Sequence, residues 1–80
     1  MTTGDLARLL RYLDSLQPFR QYEIVFNSGD RMAVRHPETI QQRDDLFSHT
    51  GPDRVYFIFS AAGVSNIRVL PRGDPPSPGR

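Results

Sequence analysis

A mainly β fold with one N-terminal α-helix, built as a five-stranded, strongly bent small barrel, is what this 80-residue sequence predicts. Three observations predict it. Leucines recur at three- and four-residue spacing only near the start, apolar and polar residues alternate at period two through most of the rest, and Gly, Pro, Asn and Asp gather between the alternating runs. In so short a chain, one helix and several short strands bury their apolar faces most economically when the sheet curls on itself and the helix stops one end.

The helix comes first. "TTGDLARLLRYLDSLQP" places Leu6, Leu9, Leu10, Leu13 and Leu16 on one stripe, which predicts an amphipathic helix over residues 4–16. Thr2 followed three residues later by Asp5 has the form of a capping box, and Pro18 ends the helix by about Gln17. Asp5–Arg8 and Arg11–Asp14 stand at pairing distance along its polar face. So short a helix needs a sheet or a partner beneath its leucines.

Beyond Pro18 the period becomes two. Tyr22, Ile24 and Phe26 point one way and Glu23 and Val25 the other, giving a first strand with one buried face. Asn27-Ser28-Gly29-Asp30 supplies a hairpin turn, and Met32, Val34 and His36 alternate along a second strand that Pro37 ends or bends. A short third strand falls at Thr39–Arg43 or beyond Asp44-Asp45. Gly51-Pro52-Asp53 turns the chain into "RVYFIFS", whose Val55, Phe57 and Phe59 on one side and Tyr56 and Ile58 on the other make both faces apolar. Such a strand calls for cover from the helix or from another subunit. Val64–Leu70 makes the last strand, so residues 1–71 form the domain, and "RGDPPSPGR" over 72–80 reads as a disordered tail.

Composition narrows the function. The ten basic residues are all Arg and are balanced by nine acidic ones, a net charge of +1, far from the basic excess that by itself marks a nucleic-acid binder. Cysteine is absent, so disulfides and thiolate metal sites are excluded. No apolar run reaches the length of a membrane span, and a cytoplasmic protein is expected. Catalytic material is thin. His36 and Glu38 flank Pro37 and would share a side if the segment stays extended, which suits a base and its orienter or a device that ends a strand. His36, His49, Asp44 and Asp45 could hold a metal, yet their spacing matches no metal motif and solvated turn residues are the simpler reading. No serine elbow or phosphate loop is present, so the expectation is a non-enzyme without cofactor or metal.

The helix, Pro18-Phe19, "YEIVFNSGDRMAVRHPE", the aromatic "RVYFIFS" and the closing "VSNIRVLPR" together resemble the Sm-like family, the bacterial Hfq proteins included, over residues 4–71. Pro18-Phe19-Arg20 and Val34-Arg35-His36-Pro37-Glu38 are similar to a group of short bacterial proteins of unknown function. The Sm-like resemblance implies a homo-oligomeric ring with RNA bound near its pore. Its subunit interface would fall on Val55, Tyr56, Ile58, Ile67 and Val69, where the fourth strand of one copy meets the fifth of the next. The chain departs from the family where a Lys and a His build the RNA pocket: Phe57-Ile58-Phe59 follow Tyr56 instead. Single-stranded RNA would then need Arg31, Arg35 and Arg43 beside Tyr56, and a protein-interaction module of the same fold is the alternative.

Overall fold

A computed structural model describes residues 1–51 and 54–71. Helix α1 spans Thr3–Asp14 and is followed by β1 (Tyr22–Phe26), β2 (Arg31–Val34), β3 (Ile40–Arg43), β4 (Leu46–Thr50), β5 (Tyr56–Ser60) and β6 (Val64–Val69), with a 3-10 turn at Ala61–Gly63. Pro52, Asp53 and the 72–80 tail lie outside the described residues. The mainly β fold with its N-terminal helix is as expected. The barrel is not: six strands form two antiparallel three-stranded sheets, ordered β2-β1-β6 and β3-β4-β5, and no closed barrel forms among the described residues.

The helix starts where its cap chemistry places it. Thr2 accepts a hydrogen bond from the Asp5 amide at 3.1 Å, and Asp5 pairs with Arg8. Leu6, Leu10 and Leu13 are buried, with Leu9 and Leu16 partly so against the same core. The helix stops two residues early because Ser15 caps it through its amide and hydroxyl, both bonded to the Tyr12 carbonyl. Asp14 does not pair with Arg11 as expected but accepts from the Tyr22 hydroxyl at 3.3 Å.

The first sheet is built on β1. Tyr22 lies opposite Val34 and Val69, and Ile24 opposite Met32 and Ile67, so one apolar face from three strands meets the helix. The β1–β2 turn tightens at Gly29, whose φ of +96° belongs to the region glycine enters without strain. Asn27 fastens this hairpin to the distant 3-10 turn, its amide donating to the Gly63 carbonyl and its side chain to the Ala62 carbonyl. The chain end is tied down as well: the Leu70 amide donates to the Gln21 carbonyl and Arg20 donates to the Leu70 carbonyl.

The second sheet arises from both positions open to the third strand. Asp44, at φ +57°, reverses the chain, so the stretches on either side pair as β3 and β4. The two sheets are separate because His36-Pro37 supplies no ladder donor at Pro37 and Glu38 turns into the left-handed region at φ +62°. Phe47 of β4 completes the core, stacked on Phe59, which meets Phe26 of the first sheet edge-on.

Candidate functional site

Three surfaces carry the polar and aromatic residues that could act on another molecule. The first is the outward face of the second sheet. Register places Ser48 opposite Ile58 and Thr50 opposite Tyr56, so Tyr56 and Ile58 share that face and are each 61% exposed. With Leu46, Gln41 and Arg43 they line a cleft of about 420 Å³. The cause is local: β5 is an edge strand with no residue of α1 lining this cleft, and of the two-faced pattern of "RVYFIFS" Phe59 alone packs against the core.

β5 stands apart among the four edge strands. Arg31 lies in β2, Arg43 in β3 and Arg68 in β6, whereas "YFIFS" carries no charge and no proline. Charges and prolines are how proteins keep open sheet edges from pairing with other chains. β5 has neither. Val55 and Phe57 add further exposed apolar surface on and beside it.

The second surface is the gap between the sheets, next to β2. Arg31, Ala33 and Arg35 alternate onto one side, and together with His36, Thr39, Thr50, Phe57 and His49 they border two adjoining clefts of about 330 and 530 Å³. Ala33, His49 and Gly51 line both. His49 is 6% exposed, and its Nδ1 finds no hydrogen-bond partner. Burial holds it below the ordinary imidazole value, so it is neutral at pH 7. Its spacing suggests a solvated turn residue, yet it is an inward position of β4, two residues after Phe47. The alternation Phe47, His49 was the available signal.

The third surface lies between the helix and β3. Asp14, Glu38 and Arg11 border a cleft of about 350 Å³ walled by Ala7, Leu10, Ile40 and Phe47. Burial raises the Asp14 carboxyl above its usual value, against the lowering effect of hydrogen bonds from the Glu38 backbone and the Tyr22 hydroxyl, and the Glu38 charge adds a smaller push upward. The phenol of Tyr22 is pushed up by burial and by Asp14, which keeps it a donor.

Comparison with known proteins gives no relative. No family model, curated protein or solved structure matches the chain.

The candidate residues therefore stand on geometry alone. His36 and Glu38 do not converge, since His36 faces the gap beside β2 and Glu38 the cleft beside α1. Among the described residues no three His, Asp or Glu side chains gather as a metal would require, so His36, His49, Asp44 and Asp45 are not one cluster. Arg43 and Tyr56 share the outer cleft, while Arg31 and Arg35 lie along the inter-sheet gap, so the four residues expected to meet RNA fall on two surfaces. Of the expected interface residues, Tyr56 and Ile58 face outward, Val55 and Val69 are exposed, and Ile67 packs against the core. No helix among the described residues is long and apolar enough to cross a membrane.

Glu23 is a buried charge that its local sequence does not reveal. Alternation put it on a solvent-facing side, yet it is 0% exposed, with Arg68 at 3.4 Å and Arg31 at 3.9 Å from its Oε1. Those arginines stand on the flanking strands, Arg68 directly opposite and Arg31 diagonal, and their stems cover the carboxylate. A strand order was needed to see this, because both partners are remote or across a turn.

Proposed function

We propose that the protein is a non-catalytic, Sm-like β module that works as a homo-oligomer, with copies joined edge to edge through β5 and β6. The observation that carries this reading is β5: an edge strand without charge or proline whose Tyr56 and Ile58 stand in solvent. β6 is the other long edge, six residues against five, so backbone pairing between copies would run about 17 Å with one residue of β6 left over. The strand order supports the family reading too. If β2 and β3 are counted as one strand bent at His36-Pro37, the six strands become the five expected, in the order β6-β1-β2/β3-β4-β5.

Protein–protein contact is favoured over RNA as the main activity because the four RNA candidates are divided and the net charge is +1. A second reading rests on Arg43 beside Tyr56 with Gln41 in one cleft, a guanidinium and an aromatic ring suited to a single-stranded base and its phosphate. Native mass spectrometry without nuclease treatment tests both. A defined multimer that Ile58→Asp converts to monomer supports assembly through β5, and extra mass released by salt supports RNA on that multimer. A wild-type monomer at micromolar concentration overturns the assembly reading.

A further inference from the structure

We propose that the gap between the two sheets binds a small planar aromatic anion, its ring body between Met32 and Phe57 and its carboxylate, sulfonate or phosphate ester at Arg35. The two adjoining clefts, about 330 and 530 Å³, are each within the range of small-ligand sites. Their shape comes from β2. Arg31, Ala33 and Arg35 fall on one side at alternate positions, and the small Ala33 in the middle opens the space that a larger residue would fill.

The ends of the gap differ chemically. Phe26, Met32 and Phe57 wall one end, where Asp30 also sits and where Arg31 is already engaged by Glu23. Arg35 and His36 border the other end, and Arg35 makes no ion pair among the described residues. An anion is repelled from the Asp30 end and attracted to the Arg35 end, which fixes the ligand's orientation. Between them lies His49, 6% exposed, its Nδ1 enclosed without a partner. His49 lines both clefts and forms part of the wall that joins the two ends.

This inference is independent of the assembly reading, because Ile58 lies on the opposite face of the second sheet. The probe is 8-anilinonaphthalene-1-sulfonate, whose flat naphthalene carries one anionic group, titrated by fluorescence and by amide and imidazole NMR shifts on the full chain. Shifts centred on His49, Ala33 and Gly51 are expected. Arg35→Gln, at an exposed position, should weaken binding about tenfold through loss of a charge-assisted contact. Ala33→Phe should abolish it by filling the gap, with far-UV circular dichroism reporting that the fold persists, and Ile58→Asp should leave it unchanged. Wild-type affinity in Arg35→Gln, or shifts confined to Leu46, Tyr56 and Ile58, would overturn the proposal: the dye would then be reading the exposed apolar edge.

Discussion

The two sheets have the same number of strands and opposite economies. In β2-β1-β6 the central strand has Tyr22, Glu23 and Ile24 all buried, the helix covers one face, and two arginines close over the carboxylate on the other. In β3-β4-β5 only Phe47 and His49 are buried, and the apolar residues of the edge strand stand in solvent. Buried packing is concentrated in the first sheet and exposed apolar surface in the second. The first holds the domain together; the second offers surface. Helix α1 decides which is which, because its leucine stripe is wide enough to close the first sheet and reach Phe47, and leaves the outward face of β5 bare.

That contrast can be broken. The largest effect expected is from Ile24→Ala, at the centre of the first sheet, which should cost about 2–5 kcal/mol, read as a large fall in thermal midpoint or as failure to fold. Glu23→Gln should cost less, about 1 kcal/mol, since Arg31 and Arg68 are half-exposed and can turn to water; denaturant titration at low and high salt measures it. If the variant is as stable as the wild type, the buried carboxylate does not help hold β1 to its neighbours.

Acid acts on the second sheet through His49. The folded-state pKa of His49 is depressed below its reference value of 6.5, so the unfolded chain binds more protons as pH falls below that value. The stability attached to His49 is therefore complete above about pH 6.5 and declines as pH drops through its folded value. His49→Phe should flatten that part of a stability-against-pH curve. Asp14 works in the opposite sense: its raised carboxyl binds protons more readily in the folded state, so its protonation stabilises as pH falls through its folded value. The smallest effect on the monomer belongs to Ile58→Asp, within about 0.5 kcal/mol, since its side chain is already in water. A cost of several kcal/mol in monomeric protein would show that β5 helps hold the domain, and the division between the sheets would fall.

Much of this fold is legible in the sequence wherever structure depends on neighbours along the chain. The leucine spacing marked the helix, Thr2 and Asp5 its start, Asn27-Ser28-Gly29-Asp30 the hairpin, and period two the faces of β1 and β2. What could not be read depends on elements far apart in sequence. The burial of Glu23 needed β6 to deliver Arg68, and the line from Arg31 to Arg35 became the wall of a cleft only when β4 and β5 came to rest beside it.

The mainly β class, the N-terminal helix and the apolar character of "RVYFIFS" follow from periodicity and turn chemistry, which are local properties. The three-dimensional arrangement alone sets Pro37 and Glu38 between two sheets and leaves β5 on an edge. It also decided that His49 is enclosed without a partner for Nδ1 and that Glu23 lies beneath two arginines. Burial is a relation between distant segments, and a pattern along one segment records which residues prefer cover without saying what arrives to provide it.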